Sequence, residues 1–285
     1  MTQLENKIGL IGYGYWGKIL HSNISKMYGE NISVYDSIQT IGSLDEVKTC
    51  DKVFVATPTR THYEMVLPLL ENGIDVFCEK PLSPSLRECE LLYQTANANS
   101  SRLFVDWVFT FNDAVNHIKK LYHSGKLGGL RNVTMNRLNS GPERKDVSAK
   151  WDLASHDVSI LHYIANWSDN RDVLPIDVNW NCYRRNPASF VADTCVGSIR
   201  YETFDAIIHS SWEYGRKDRK CIFEFDAGFL EWDDTKNSIT LNGKPETFTK
   251  LGSPLENSIK TFVEGDFHKQ IDLTLTVTET LEHGE

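Results

Sequence analysis

Apolar residues along the first hundred positions come in short continuous runs. Lys7 to Ile11, Ile32 to Tyr35, Lys52 to Ala56, Ile74 to Cys78 and Arg102 to Val108 each read as a buried strand. Between them the pattern is helical: Lys18 to Met27, a short turn after Ser43 with Glu46 three positions on, Tyr63 to Asn72 closed by Gly73, and a helix to about Ala96. Ser83 as N-cap with Pro84 at the first helical position is the predicted start of the last of these. Buried strands separated by helices predict a doubly wound parallel sheet. The pattern then changes. Trp151 to Asn166 reads as a helix with Leu153, Ile160, Leu161 and Ile164 on one side and Asp152, His156, Ser159 and Tyr163 on the other. Beyond it Val178 to Arg184, Thr194 to Tyr201, Phe204 to Trp212, Cys221 to Phe225 and Phe229 to Trp232 are short and rich in β-branched and aromatic residues, and Asn242-Gly243 marks a hairpin. An antiparallel sheet is expected there, followed by a last helix from about Asp272 to Glu282. The fold class is therefore α/β: a parallel-sheet domain over residues 1–105, then an α+β domain over 106–285 with a large, mostly antiparallel sheet.

Length and charge narrow this picture. At 285 residues the chain has room for two ordinary domains. Its net charge of −9, with basic residues scattered, argues against a nucleic-acid partner. Met1 to Asn6 is polar, and no charged-then-apolar leader or long apolar run is evident, so a soluble, cytoplasmic protein without membrane contact is expected. The six cysteines, Cys50, Cys78, Cys89, Cys182, Cys195 and Cys221, form no CxxC pair; reduced and mostly buried thiols are expected, with neither a disulfide framework nor a metal site.

The first strand runs directly into Gly12-Tyr13-Gly14-Tyr15-Trp16-Gly17 and then a helix. Glycines in that context permit a tight turn and close approach of a pyrophosphate, which the free N–H groups of the helix start attract. Asp36 ends the second strand, nineteen residues beyond Gly17, where its carboxylate can accept hydrogen bonds from a ribose. Its charge would repel a 2′-phosphate, so NAD is expected rather than NADP. Taken singly, the glycines are an ordinary turn and Asp36 an ordinary cap; together they read as the Rossmann dinucleotide fingerprint. Only fifteen residues separate Asp36 from the strand at Lys52, which predicts an abbreviated, open wall on the adenine side. Thr57 and Pro58 stand at the carboxyl edge of the sheet, suited to main-chain contact with the dinucleotide.

Lys80 follows the strand Ile74 to Cys78, at the edge where open α/β sheets bind ligands. By itself it is equally a surface lysine. Asp152 and His156 lie four apart on a predicted helix, which stacks them; a carboxylate beside an imidazole fixes its tautomer and favours the protonated ring. A satisfied polar helix face is the plain alternative. Two basic groups, Arg144, Lys145 and Lys150 before that helix and Arg216, Lys217 and Arg219 after Trp212, would suit a diphosphate. Solvated loops are the alternative there.

The order and spacing of Gly12 to Gly17, of Ala56-Thr57-Pro58-Thr59 with His62, and of Glu79-Lys80-Pro81 resemble the glucose-fructose oxidoreductase, inositol dehydrogenase and rhizopine-catabolism (Gfo/Idh/MocA) family of NAD(P)-dependent enzymes. Val105 to Phe109, Trp151 to Ile160, and Ser211-Trp212 with Lys217 and Arg219 are similar to a branch associated with sugar-nucleotide and surface-polysaccharide pathways. The resemblance implies a sugar dehydrogenase or reductase that forms a homo-oligomer, dimer or tetramer, through its second domain. It implies that Gly12, Tyr13, Gly14, Tyr15, Trp16, Gly17, Asp36, Thr57, Pro58, Thr59, His62, Glu79 and Lys80 hold the cofactor. Lys80, Asp152 and His156 would carry catalysis, and Lys80, Arg144, Asp152, His156, Lys217 and Arg219 would bind a sugar or nucleotide-sugar substrate. Family members often carry an aspartate three residues after the histidine; here that position is Ser159, with Asp157 acidic instead, which disfavours an inositol-type substrate. The chemistry calls for no metal. Two other activities fit the same residues: a catalytically silent NAD-binding regulator or sensor, and an epimerase or lyase that recycles its NAD.

Overall fold

The computed structural model describes residues 7–166, 173–265 and 270–283; the polar stretch Met1 to Asn6 lies outside them. The chain divides into two compact units. One is the stretch up to Trp107 with Leu255–Leu275, the other Val108–Pro254 with the C-terminal stretch from Thr276.

In the first unit the apolar runs fold as β1 (Ile8–Ile11), β2 (Ile32–Tyr35), β3 (Lys52–Val55), β4 (Asp75–Cys78) and β5 (Leu103–Val105). All pair in parallel, in the order β2-β1-β3-β4-β5. Helices α1 (Tyr15–Tyr28), α2 (Leu44–Val47), α3 (His62–Glu71) and α4 (Leu86–Ala98) connect them. The strand order reverses between β1 and β3, and a ligand crevice forms at such a point because the two neighbouring loops leave in opposite directions. The short crossover after Asp36 holds a single helical turn, α2.

The core of this unit is aromatic. Phe54, Phe77 and Phe104, on three neighbouring strands, are fully buried, and Phe262 from the helix Pro254–Glu264 meets their rings with centroids 5.1, 5.6 and 5.9 Å away. Each such ring taken out of water contributes about 1.5–3 kcal/mol. Thr274 accepts hydrogen bonds from Tyr93 Oη (3.0 Å) and Trp107 Nε1 (2.9 Å), which satisfies both buried donors.

Two helix starts differ from the sequence expectation. Ser43 stands at the N-cap of α2 but its side chain makes no capping hydrogen bond, and Glu46 instead accepts from Ser33 Oγ at 3.2 Å. Ser83 is not the N-cap of α4: that residue is Ser85, while Ser83 Oγ accepts from the Ser85 N–H at 3.1 Å and donates to Glu88. Proline 84 thus lies in the turn before the helix. The predicted strand at Arg102 to Val108 shortens to β5 because the chain turns into a 3-10 segment at Val108–Phe111.

The second unit begins with α5 (Asp113–His123), whose N-cap Asn112 accepts from Ala114 and Val115 N–H. Strand β6 (Leu130–Ser140) follows, then α6 (Ser155–Ala165), β7 (Asp177–Tyr183), β8 (Thr194–Arg200), β9 (Asp205–Ser211), β10 (Glu213–Phe225), β11 (Gly228–Asp233), β12 (Ser238–Leu241) and β13 (Lys244–Glu246). They form one eight-stranded sheet, β13-β12-β11-β10-β6-β9-β8-β7, antiparallel except for the β6–β9 pair. The β12–β13 hairpin turns on Asn242 and Gly243, both at positive φ (50° and 75°), as a tight two-residue connection requires.

The cysteine expectation is corrected here. Cys182 and Cys195 are bonded as a disulfide, and Cys50, Cys78, Cys89 and Cys221 are buried thiols outside any disulfide. The pair sits directly opposite in the β7–β8 register with Cα atoms 4.1 Å apart, a proximity that linear spacing cannot reveal. Among the described residues no helix is long and apolar enough to cross a membrane.

Candidate active site

The glycine turn after β1 shows three distinct jobs. Gly12 has φ +93°, and a Cβ there would lie 2.7 Å from the Ala56 carbonyl oxygen, so the turn presses on the end of β3. A Cβ on Gly17 would strike the Gly12 carbonyl oxygen at 2.0 Å, so α1 can start this close only with glycine. Around Gly14, by contrast, a Cβ would meet nothing within 4 Å. That residue is the N-cap of α1 without a side-chain cap, and no acidic residue occupies the first turn. A helix start without a side-chain cap, beside open space, is what a pyrophosphate needs, so these residues fit a dinucleotide.

Asp36 lies at the end of β2 beside this turn. Its Oδ2 accepts from the Tyr13 N–H (2.6 Å) and Gln39 Nε2 (3.3 Å), and its Oδ1 from the Ile38 and Gln39 N–H groups (2.9 and 2.8 Å). Burial works against the charge, but these hydrogen bonds prevail and hold the carboxyl below its usual range. The anion therefore persists, and it also clamps the glycine turn to the loop after β2. Gln39 Nε2 closes the clamp on the Tyr13 carbonyl at 2.6 Å. Ile38, next in that loop, is 87% exposed beside the short crossover.

At the end of β3, Thr57 and Pro58 lead into a 3-10 turn, Thr59–Thr61. Thr61 Oγ1 lies 2.9 Å from Thr57 Oγ1 and 2.7 Å from the Pro58 carbonyl, and Thr59 is buried. His62 is buried too. Its Nδ1 lies 2.9 Å from the Pro81 carbonyl and its Nε2 2.9 Å from the Thr57 carbonyl. The ring is thus a strut that ties the β3 loop to the Glu79-Lys80-Pro81 turn, a role the motif alone did not reveal.

That turn closes β4, with the Glu79 N–H on the Val55 carbonyl at 3.0 Å and a cis bond between Lys80 and Pro81. Trp16 Nε1 donates to Glu79 Oε1, so a side chain of the glycine turn meets the lysine-bearing turn. Burial and the neighbouring Asp106 push the Glu79 carboxyl up to about 8, against the pull of Trp16 and Lys80.

In the second unit, the predicted helix at Trp151 to Asn166 begins differently. Lys150–Ala154 is a π-turn, and only from Ser155 to Ala165 is the helix α. A π-turn carries about 4.4 residues per revolution in place of 3.6, which rotates Asp152 relative to a plain α spacing. Asp152 Oδ2 accepts from Trp212 Nε1 at 3.1 Å, and Oδ1 from Arg144 Nη1 at 3.4 Å. His156 meets Phe109 edge-on, ring centroids 5.1 Å apart. The polar side of this helix is not a solvated face: Ser159 is buried and donates to the His156 carbonyl at 2.7 Å. Asp157 is fully buried and takes three contacts of 2.7–3.1 Å from Arg137 on β6. Arg137 in turn lies 4.7 Å from the Phe109 ring centroid. A bidentate, buried ion pair thus fixes the residue next to His156. Burial pushes the Asp157 carboxyl up even so, while Arg137 is held more basic than usual by Asp157 against the effect of burial. The contact geometry is that of an ion pair.

The basic groups proposed from sequence are partly consumed internally. Arg144 pairs with Asp146 through Nε (2.9 Å) and Nη2 (2.8 Å) as well as reaching Asp152. Lys150 is buried at the start of the π-turn, contrary to its expected place on a polar loop. Arg219 bonds Asn139 at 3.3 Å and lies 3.7 Å from Asp234; burial and the opposed Arg137 lower its basicity. Lys217 is exposed, in the stretch of β10 where the register with β6 is interrupted between Glu213 and Asp218, and Arg216 pairs loosely with Asp218 at 3.8 Å.

The model of an oxidoreductase family with an NAD-binding Rossmann fold matches residues 24–107. Among curated relatives, a 2,7-anhydro-N-acetylneuraminate hydratase of Escherichia coli is 30% identical over 158 residues, 50% of this chain and 42% of that protein. A scyllo-inositol 2-dehydrogenase (NADP(+)) of Bacillus subtilis is 26% identical over 274 residues, 84% of this chain and 73% of its own. The chain spans only 41% to 43% of the length of the first relatives it matches. A dehydrogenase from Bordetella pertussis, solved with NADH and UDP-GlcNAcA, has the same fold: TM-score 0.78, 18% identity, 99% of this chain and 98% of that one covered.

Proposed function

Because the chain belongs to the Gfo/Idh/MocA oxidoreductase family, we propose that it transfers a hydride between NAD(H) and a secondary hydroxyl, or the matching ketone, of a sugar or nucleotide-linked sugar. The observation that carries this reading is the open space at Gly14 where α1 starts without a side-chain cap, with Lys80 just past the end of β4, two strands along in the same sheet. Gly12, Gly14, Gly17 and the main chain of Thr57 and Pro58 would hold the dinucleotide. The ionised Asp36 disfavours a 2′-phosphate and so supports NAD over NADP.

When bound, the nicotinamide supplies the acceptor for the hydride. In the oxidative direction His156 takes the hydroxyl proton, and Asp152, oriented by Trp212 and Arg144, stabilises the resulting imidazolium. Lys80 donates a hydrogen bond to the oxygen as negative charge develops on it. The Arg137–Asp157 pair keeps the His156 turn in place. Arg144, Lys217 and Arg219 are the cations offered to a substrate phosphate; Lys217, the most exposed, has the most freedom to reach one. The eight-stranded sheet serves as the surface for a homo-oligomer, and the protein works in the cytoplasm.

The hydratase relative favours a second reading, in which the hydride returns to the same substrate and no net oxidation occurs. Absorbance of reduced nicotinamide, followed with NAD and a panel of free sugars and UDP-sugars, separates the two. Net accumulation with one of them supports the dehydrogenase. Conversion of the sugar with only transient reduced cofactor supports the recycling enzyme, and silence with every sugar despite tight NAD binding contradicts both.

A further inference from the structure

Asp106 has no part in the mechanism above, yet it is the most deeply buried carboxylate of the first unit, 1% exposed. Its position follows from the sheet. Cys78 and Val105 are register partners on β4 and β5, the Asp106 N–H bonds the Cys78 carbonyl at 2.9 Å, and Glu79 is the next residue after Cys78. Parallel pairing therefore carries two carboxylates out of adjacent strands at the same level, immediately beside Lys80.

Groups from neighbouring elements face them. On the helix Pro254–Glu264, Ser258 Oγ donates to Asp106 Oδ1 at 2.5 Å. From the start of α1, Trp16 donates to Glu79. The β4 turn supplies the Lys80 charge, which acts on both acids, and Cys78, whose thiol burial drives far up; α4 supplies the buried Cys89. Asp106 Oδ2 is buried with no hydrogen-bond partner among the described residues. A fully ionised carboxylate would leave bare charge there. Two like charges side by side in a poorly hydrated place do not both ionise, and a single lysine neutralises one of them.

We propose that Glu79 and Asp106 share one proton at neutral pH, and that Asp106, held by Ser258, is a positioning residue that sets the charge state in which Lys80 meets the substrate. The cluster of one ammonium, one carboxylate and one carboxylic acid is then electrically neutral. When the shared proton leaves at higher pH, the second carboxylate appears and holds Lys80 more firmly as the ammonium. This rests on the catalytic reading of Lys80. Burial pushes both acids up, Glu79 to about 8 with help from Asp106 and Asp106 to about 7 against the pull of Ser258 and Lys80, which is the direction a shared proton requires. The two titrate as a pair, and neither value belongs to one residue alone.

The test is infrared titration of the carboxylic acid carbonyl stretch in the whole protein, without cofactor or substrate. Wild type should show a protonated carboxyl band at pH 6.5 that titrates away as pH rises through the pair's range. In Asp106→Asn, which keeps an acceptor for Ser258, the band should titrate away at lower pH than in wild type, because Glu79 then lacks the neighbouring charge and keeps only the effect of burial. In Ser258→Ala the band should persist to higher pH, since the ionised form of Asp106 loses the hydrogen bond from Ser258. Identical titrations in wild type and Asp106→Asn, with both folded by circular dichroism, overturn the shared proton, and so does a wild type with no such band. A shared proton that titrates identically in wild type and Lys80→Met overturns its link to Lys80. Turnover of Lys80→Met is read separately: if it matches wild type, the catalytic reading of Lys80 fails whatever the infrared result.

Discussion

The two units hold their candidate chemistry by different means. In the first, the residues lie in contiguous turns at the ends of parallel strands, and main-chain hydrogen bonds fix them: Asp36 on the Tyr13, Ile38 and Gln39 amides, His62 between two carbonyls. In the second, His156 and Asp152 sit on a helix whose start is a π-turn and which is held by side chains distant in sequence: Arg137, Arg144 and Trp212. Main-chain support tolerates side-chain substitution nearby, whereas a buried side-chain network fails when one member is removed.

Substitution of Asp157 by alanine probes that difference most severely. It leaves Arg137 buried with a loose contact to Asp234 at 4.0 Å in place of its bidentate partner, and should destabilise the protein by about 3–5 kcal/mol in chemical denaturation. Replacement of both partners by apolar residues of similar volume should recover most of that loss; a single substitution costing under about 1 kcal/mol would show that the pair is not the anchor.

In the first unit the contrast is between two glycines three residues apart, Gly14 and Gly17. Gly17→Ala drives a methyl into the Gly12 carbonyl and should cost about 1–3 kcal/mol. Gly14→Ala meets open space, so stability should change by less than about 0.5 kcal/mol, while NADH affinity measured by fluorescence falls because the methyl occupies the approach of the pyrophosphate. A Gly14→Ala protein with unaltered NADH affinity would remove the dinucleotide from that place.

The smallest effect is in the pH dependence of stability, where the units should oppose each other. Burial lowers His162 to about 4, so the folded state binds fewer protons than the unfolded one between that value and the ordinary histidine range. Its contribution is present above the ordinary range and is lost as pH falls toward about 4. Glu79 and Asp106 are raised, so their contribution is present at acid pH and is lost as pH rises to about 7–8. Denaturant midpoints across this span should therefore slope less on the acid side in His162→Gln and less on the neutral side in Asp106→Asn.

The same contrast governs what could be read from sequence. The glycine turn, Asp36, Thr57-Pro58 and Glu79-Lys80-Pro81 were legible because each is a local motif after an apolar run, and the five parallel strands appear where those runs predict them. Strand β6, which lies between β10 and β9 in the second sheet, was not foreseen. An arginine, Arg137, stands among its inward positions with Val133 and Met135, and that breaks the alternation that announces a strand. Its partner Asp157 was read only as an acidic residue next to His156. The helix Pro254–Glu264 was invisible for another reason: an amphipathic stretch does not say which sheet it covers, and Phe262 returns to the first one. The Cys182–Cys195 bond needs the β7–β8 register, and the π-turn has the same residue spacing in sequence as an α-turn.

Lys80 is where the account is most exposed. The decisive measurement is NADH binding and single-turnover hydride transfer in Lys80→Ala, with the sugar or UDP-sugar that wild type turns over. NADH affinity within about twofold of wild type, with the hydride-transfer rate reduced by about 10²–10⁴-fold, is the predicted result. Hydride transfer at the wild-type rate would contradict it.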